Sequence, residues 1–382
     1  MASAVNYHFG GREGLVTSAF SLASRRAASW RRRWSLEPSL ALPAEAFAGW
    51  FVAAMEDYAF TEAPVRAVLR ELYLDAGRST LRLELARAEH EAADVFWTAI
   101  LDVFGLPNAR AGLVADFADG MAILHNHRPT MPEHLGWFGE TCSRFSARIL
   151  GQSERAGWDG WRQRLRSQTV LSVDHDVASS LLVNAADIVG RQGLGSLTHR
   201  AVAAQSDVTL AAVMRHFPTR AALVKAVFEA IIASLLTQPS PDRPRVGQVD
   251  ADILALGVAA TTFTPEGTPM SAIMVIEELL GAAGREAWLR DDVLPLRAAR
   301  GETSWIFLAS LPGGSALDEL DAHIFSTMTF GAIRAGFTRE RPDRRNWLAG
   351  RIRTQCDWLT EHEFVRPNRG PTVPTGDVSA EP

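Results

Sequence analysis

The chain contains very little cysteine, and its two cysteines are too far apart in sequence to suggest a shared role. Cys142 and Cys356 have neither a CxxC spacing nor a histidine at the spacing of a zinc site. Structural zinc sites and disulfide frameworks both depend on such spacings. The sequence therefore predicts two buried thiols, no metal site and no bound cofactor.

Long apolar runs are also missing. No stretch of about eighteen uncharged apolar residues occurs, and no signal peptide opens the chain. Of the 382 residues, 47% are hydrophobic and 22% are charged, which supplies enough apolar material for a globular core. The length predicts two or three domains, and we expect a soluble cytoplasmic protein.

Signatures of enzymes are weak. The triplet His125-Asn126-His127 spells a nuclease motif, but the strand-rich metal cradle that this motif needs is not predicted around it. The pair His90-Glu91 lacks the second histidine of a zinc-protease helix. Phosphate loops and nucleophile elbows are absent as well. We therefore predict that the protein is not an enzyme, and a helical enzyme is the least favoured alternative.

Apolar and polar residues do not alternate over the length of a β-strand anywhere in the sequence. Apolar residues instead recur at spacings of three and four along the chain. In the first part of the chain, the apolar stripes lie at 47–55, 65–72, 95–103, 113–124 and 135–149. Such stripes are typical of helices that bury one face. The predicted fold class is all-α.

The segment 173–236 has the helix lengths and turns of a helix-turn-helix domain. Its first helical pattern ends at Gly193 and Gly195, where glycine supplies a left-handed cap. Thr198 is placed to cap a second helix and Thr209 a third, with the turn formed by residues 205–208. A fourth helix is predicted to begin at about Arg220. Two helices joined by so short a turn fit the DNA major groove.

The charge in this segment agrees with DNA binding. Between residues 191 and 225 the chain carries five basic residues against the single acid Asp207, whereas the whole chain has a net charge of -5. The basic residues are Arg191, Arg200, Arg215, Arg220 and Lys225. A local basic patch on an acidic protein is typical of phosphate contacts confined to one end.

The run LTHRAVAAQSDVTLAAVMRHFPTRAALVKAVF resembles the N-terminal domain of the TetR family of transcriptional regulators. The resemblance lies in the leucine-threonine start of the second helix, the valine-threonine entry to the third and its final histidine-phenylalanine. Two positions differ. Asp207 stands where the turn usually carries glycine, which aspartate tolerates because it visits the left-handed region. Arg215 replaces the usual aromatic residue and would keep a phosphate contact with altered geometry.

The resemblance implies a DNA-binding transcriptional regulator, and we expect a repressor that a small-molecule effector releases from a double-stranded DNA operator. The recognition-helix residues expected to face the bases are Thr209, Leu210, Ala211 and Arg215. The residues expected to be available for phosphates are Thr198, His199, Arg200, His216 and Arg220. The alternative function is a ligand-binding or dimerising protein that no longer binds an operator.

The chain also resembles itself at a shift of about 208 residues. Near the start, the repeated residues are Ala4, Val5, His8, Phe9, Arg12, Leu15, Val16 and Phe20, matching Ala212, Val213, His216, Phe217, Arg220, Leu223, Val224 and Phe228. Further on, Glu71-Leu72 recurs as Glu278-Leu279, and Trp97 recurs as Trp305. A near-constant shift over so long a stretch indicates a duplicated domain.

Residue 1 would then correspond to residue 209, so about thirty-five residues of the second copy have no counterpart in the first. We interpret the first DNA-binding domain as incomplete, with Met1 as a mis-assigned or internal start. A degenerate first copy is the alternative. The arginine-rich segment at 25–33 is consistent either with a nucleic-acid patch or with a solvated helix face.

Six segments follow from this interpretation. They are a partial helix-turn-helix at 1–20, a helical ligand-binding and dimerisation domain at 21–150, a linker at 151–172, a complete helix-turn-helix domain at 173–236, a second helical domain at 237–365 and a disordered tail at 366–382.

By resemblance, the last two long helices of each helical domain build a four-helix bundle. These helices are expected at 108–128, 132–150, 316–337 and 342–361. The bundle would form within one chain as a pseudo-dimer, or between two chains as a homodimer. Trp97, Trp305 and Phe307 would line a pocket or belong to the core, and the core is favoured.

Overall fold

The computed structural model describes residues 2–129, 132–152, 177–236 and 249–361, except positions 268, 270, 291 and 292. Within these ranges the regular elements are helices, and the β structure is limited to one isolated bridge between Phe263 and Pro269. The prediction of an all-α fold is confirmed. Residues 153–172 of the expected linker and the expected tail at 366–382 lie outside the described residues.

The helices of the first half follow one another through short turns. They are α1 (Ala2–Phe9), α2 (Arg12–Trp34), α3 (Ala46–Glu56), α4 (Ala63–Asp75), α5 (Thr80–Val103), α6 (Ala111–Leu124) and α7 (Pro132–Ile149). Each of the five apolar stripes expected in this half coincides with one of the helices α3 to α7.

The second half begins with the helix-turn-helix segment. Its helices are α8 (Val177–Gln192), α9 (His199–Gln205), α10 (Leu210–His216), α11 (Arg220–Leu236), α12 (Ala251–Thr262), α13 (Ser271–Arg285), α14 (Leu294–Ala299), α15 (Glu302–Leu308), α16 (Glu319–Gly336) and α17 (Arg344–Thr360). The long helices expected at 316–337 and 342–361 are α16 and α17, each slightly shorter than expected.

Local side chains set several helix ends. Asp318 accepts hydrogen bonds from the backbone N–H groups of Leu320 and Asp321, and the Asp321 carboxylate accepts one from the Asp318 N–H, which completes a capping box at α16. Gly301 separates α14 from α15 with a φ of 87°. A Cβ at Gly301 would lie 2.6 Å from the His323 nitrogen, so only glycine fits there.

The largest core joins both halves of the chain. Phe117 of α6 and Phe145 of α7 stack with ring centroids 3.9 Å apart, and Trp358 of α17 lies 5.7 Å from the Phe145 ring. Trp97 is buried in this core, and Trp305 packs against it half-buried. These two tryptophans therefore act as core residues, whereas Phe307 is 44% exposed.

The helices α6 and α16 cross in close contact at two glycines. A Cβ at Gly120 would lie 1.9 Å from the carbonyl oxygen of Thr327, and a Cβ at Gly331 would lie 1.9 Å from that of Asp116. The separation between Gly120 and Gly331 equals that between Asp116 and Thr327. The two contacts are thus reciprocal, as in an interface with twofold symmetry.

Buried ion pairs reinforce the contact between the halves. Arg148 of α7 donates from Nε and Nη2 to the carboxylate of Asp321 at 2.6 and 2.5 Å. Arg351 of α17 donates from Nε to Asp116 at 2.6 Å. Because both carboxylates are almost fully buried, removal of their arginines would leave uncompensated charges.

The arginine-rich stretch of α2 divides between two roles. Arg31 forms an ion pair with Glu89 at 2.6 Å, and Arg33 forms one with Asp57 at 2.7 Å. Arg25, Arg26 and Arg32 are exposed. Two of the five arginines therefore attach α2 to later parts of the first half of the chain.

Candidate nucleic-acid interface

Helix α8 supports the helix-turn-helix from behind. Its apolar side is buried against the two short helices and against α13 of the helical domain, through Leu181, Ala185, Ile188 and Val189. Two side-chain hydrogen bonds attach the turn to α8: Asn184 donates to Ser206 at 2.9 Å, and Gln205 donates to Asp187 at 2.8 Å. The position of the turn is thus fixed by packing and by polar contacts.

The predicted caps and turn are present. The Thr198 hydroxyl accepts a hydrogen bond from the Ala201 N–H at 3.1 Å, and the Thr209 hydroxyl accepts one from the Ala212 N–H at 3.2 Å. Asp207 lies in the turn with a φ of 52°, the left-handed conformation that glycine otherwise supplies.

Of the two glycines expected to end α8, only one has a left-handed backbone. Gly193 has a φ of 81°. Gly195 instead lies within a short 3-10 turn, Leu194–Ser196, and has no positive φ. The expectation of a left-handed cap was therefore right for Gly193 and wrong for Gly195, because the 3-10 turn continues the chain after the first glycine.

The recognition helix α10 buries one residue and exposes most of the others. Val213 is fully buried, and Phe217 at the end of the helix is 6% exposed. Thr209, Leu210, Ala211 and Arg215 are all exposed, so the four residues expected to face the bases share an open surface. Met214 belongs to the same surface and is 46% exposed. The sequence analysis missed Met214, although its position four residues after Leu210 places it on the same helix face.

The side chains expected to contact phosphates differ in their exposure and in their hydrogen bonds within the domain. Arg200 and His216 are exposed, whereas the His199 ring is half-buried and its Nε2 lies 2.7 Å from the carbonyl oxygen of Phe217. The Arg220 guanidinium donates to the carbonyl oxygens of Leu194 and Leu197 at 3.0 and 3.3 Å. His199 and Arg220 therefore also hold the domain together.

A hydrogen bond adds to the packing between the DNA-binding segment and the helical domain. The backbone N–H of Leu194 donates to Glu278 of α13 at 3.2 Å, next to the carbonyl that accepts from Arg220. Sequence analysis gave no indication of this bond, because its partners are far apart in the chain. A displacement of α13 would act directly on the turn before α9.

The α1–α2 corner carries the residues of the first half that match this surface in sequence. Helix α1 packs on α2, and Tyr7 and Phe9 are 85% and 40% exposed. His8 and Arg12, which match His216 and Arg220, are exposed as well.

A helix-turn-helix with a basic, exposed second helix defines a DNA-binding protein. Residues 181–227 match the sequence model of the family described as bacterial regulatory proteins, tetR family. The match begins in α8 and ends in α11, so it includes the whole helix-turn-helix. The chain is therefore a DNA-binding transcriptional regulator that carries a DNA-binding domain of the tetR family. Comparison with curated proteins gave no match.

Among the described helices, none is long and apolar enough to cross a membrane. Within the same residues, no group of three or more histidine, cysteine or acidic side chains is arranged to hold a metal ion. The motif residues His125 and His127 are buried beside Arg297.

Proposed function

We propose that the protein is a repressor whose two halves pair within one chain, and that a small molecule bound to the helical domains releases it from an operator. The observation that carries the DNA-binding part is the exposed surface of α10. There, the aliphatic side chains of Leu210 and Met214 and the cation of Arg215 are presented together. Apolar side chains suit thymine methyl groups, and arginine suits guanine or phosphate.

The intramolecular pairing is supported by the reciprocal glycine contacts between α6 and α16. In a symmetric dimer, when residue i of one copy contacts residue j of the other copy, residue j of the first copy also contacts residue i of the second. The pairs formed by Gly120 with Thr327 and by Gly331 with Asp116 follow this rule at one constant separation in sequence. We therefore propose that α6, α7, α16 and α17 form the bundle that two chains would otherwise share.

The release mechanism follows from the position of α13. This helix packs on α8 and holds Leu194 through Glu278. A ligand that shifts α13 would tilt the helix-turn-helix relative to the bundle. Since α10 must enter the DNA groove in one orientation, we expect such a tilt to weaken binding.

A mobility-shift titration of the chain against the DNA flanking its own gene, at stated salt, tests the proposal. We expect binding that weakens steeply with salt and that is lost when Arg215 is replaced by glutamate. The matched control is Arg345→Glu, which changes a half-buried arginine of α17 by the same charge. Equal effects of the two substitutions would contradict the proposed interface.

Sedimentation of the free chain tests the pairing. A monomer at micromolar concentration supports a pseudo-dimer, because α6 and α16 already cover each other. A stable dimer would argue for pairing between chains. Failure to bind any flanking DNA would favour the alternative, a ligand-binding protein without an operator.

A further inference from the structure

A cavity of about 470 Å³ lies between the two halves of the chain. It is bordered by α4 and the end of α6 from the first half, and by α13 and α16 from the second. A cavity of this volume suits a small organic ligand. The aliphatic and aromatic part of its lining includes Phe60, Pro64, Ile123 and Leu280.

The polar part of the lining is strongly basic. The six arginines that border the cavity are Arg66, Arg70, Arg128, Arg285, Arg290 and Arg334. Among the described residues that line it there is no carboxylate. The carboxylates that pair with these arginines, such as Asp119 on Arg66 and Glu277 between Arg70 and Arg334, stand outside the lining.

Four of these arginines have a nitrogen that is buried without a hydrogen-bond partner. The atoms are Arg66 Nε, Arg70 Nη2, Arg290 Nε and Arg334 Nε. Buried donors are costly when unpaired, and a guanidinium has donors only. An oxyanion in the cavity would satisfy several of them at once.

The surroundings of His127, which also lines the cavity, show the same excess of positive charge. Burial, and then the charges of Arg297 and Arg290, lower the pKa of His127 to about 3. A neutral imidazole at this position leaves the arginines as the cations of the site. The electrostatic preference of the cavity is thus for an anion.

We propose that this cavity binds a small organic acid, with its carboxylate or phosphate on the arginines and its apolar part against α4 and Leu280. The site lies between the halves, and it deepens the proposed function because it names the chemical class of the effector. Arg290 is the most informative residue, because it lines the cavity and its Nε is buried without a hydrogen-bond partner.

Glu278 links the site to the DNA-binding segment. Its Oε1 lies 3.5 Å from Arg70 Nη2, while its Oε2 accepts the hydrogen bond from the Leu194 N–H. An anion that binds Arg70 competes with Glu278 for the same guanidinium. Displacement of Glu278 would loosen the turn that precedes α9. Anion binding would therefore act directly on the helix-turn-helix.

Calorimetric titration of the free chain tests the site without DNA. The probes are phenylacetate and phenyl phosphate as organic anions, phenylacetamide as the neutral analogue and inorganic phosphate as the bare anion. We expect at least one organic anion to bind with a Kd of about 1 mM or lower, as ligand size allows. The neutral analogue and inorganic phosphate should each bind at least tenfold more weakly.

Arg290→Gln should weaken the organic anion about tenfold, as expected for a lost charged hydrogen bond. The control Arg345→Gln should leave its affinity unchanged. The inference is overturned if no organic anion binds, if phenylacetamide binds equally well, if inorganic phosphate accounts for the whole affinity as an adventitious ion only, or if Arg290→Gln has no effect.

A mobility shift with the same anion separates this inference from the proposed function. Anion binding that leaves the DNA complex intact would keep the site and overturn the proposed release. Release of DNA by an anion whose effect survives Arg290→Gln would keep the proposed release and overturn the site.

Discussion

Arg70 and Glu277 form an ion pair across the two halves, with Arg70 Nε 3.0 Å from Glu277 Oε2. The two residues are separated by the same distance in sequence that relates Glu71 to Glu278, so they occupy matching positions of the sequence repeat. Equivalent residues meet where a twofold axis passes. Here one half supplies the cation and the other the anion. Two identical halves would bring two arginines or two glutamates together at this position.

The first prediction concerns the energy of this pair. Arg70 and Glu277 are 5% and 1% exposed. Removing one member of a buried pair is expected to cost about 3–5 kcal/mol. We expect Glu277→Gln to fall in this range, because both Arg70 and Arg334 lose their shared carboxylate, and Arg70→Met to cost less, since Arg334 still pairs with Glu277.

A double-mutant cycle measured by urea unfolding checks this. A coupling of about 1–3 kcal/mol between Arg70→Met and Glu277→Gln is expected. The exposed pair of Arg353 with Asp252 is the control, for which a much smaller coupling is expected. A coupling no larger than that of the control pair would show that Arg70 and Glu277 do not hold the halves together.

The second prediction concerns the crossing of α6 and α16. Gly120→Ala would place a methyl group 1.9 Å from the Thr327 carbonyl oxygen, so the helices must separate. We expect a loss of about 1–3 kcal/mol of unfolding free energy. Gly139→Ala in α7 is the control, since its Cβ would meet no atom within 4 Å. That substitution should stabilise the protein by up to about 1 kcal/mol through helix propensity.

Thermal unfolding of both variants distinguishes a packing effect from a general effect of alanine. If Gly120→Ala were as stable as Gly139→Ala, the close crossing of the two helices would be wrong.

Local features of the site could be predicted from the sequence, because short-range rules determine them. Thr198 and Thr209 cap the helices to which they were assigned, and Asp207 adopts the left-handed turn. Two of the contacts that connect the parts show what could not be predicted. Arg70 with Glu277 and Leu194 with Glu278 join residues distant in sequence, and no local pattern marks such partners.

The same distinction explains why the basic cavity was missed. Its arginines lie on α4, α13 and α16 and on two loops, so the sequence shows them as separate charges. Only the packing of α4 and α6 against α13 and α16 brings them together. The aromatic residues considered for a pocket, in contrast, follow helical spacing, and Trp97 entered the core as periodicity favoured.

The third prediction concerns the turn of the helix-turn-helix. Asp207 has a φ of 52°, where a side chain with a Cβ is strained by about 1–2 kcal/mol and glycine is not. We expect Asp207→Gly to be at least as stable as the parent, and Asp207→Val to be less stable by about 1–2 kcal/mol. Urea unfolding monitored by circular dichroism measures both, and equal stability of the two variants would contradict the turn conformation.

The fourth prediction concerns acid. Burial, and then Arg297, lower the pKa of both His125 and His127 below the ordinary value of 6.5, to about 3 for His127. A folded-state pKa below the unfolded value means that the unfolded chain binds the proton more readily. The contribution of these histidines to stability is therefore complete above pH 6.5 and is lost as the pH falls towards about 3.

The variant His127→Gln cannot take up this proton. Relative to that of the parent, the unfolding free energy of His127→Gln should therefore rise by about 1 kcal/mol when the pH falls from 7 to 5. Urea titrations at both pH values measure the shift, and a constant difference would mean that His127 keeps an ordinary pKa.

The last prediction separates two arginines of the DNA-binding segment. Arg215 is exposed, whereas the Arg220 guanidinium donates to the carbonyl oxygens of Leu194 and Leu197. If each contacts one phosphate, either Arg215→Gln or Arg220→Gln should reduce the slope of log affinity against log salt by about 1. Only Arg220→Gln should also lower the unfolding free energy, by about 1 kcal/mol, because it removes two internal hydrogen bonds. Mobility shifts over a salt series, together with urea unfolding, give both quantities for each variant. An unchanged slope for Arg215→Gln would remove Arg215 from the interface, and an unchanged stability for Arg220→Gln would mean that its carbonyl contacts do not hold the turn before α9.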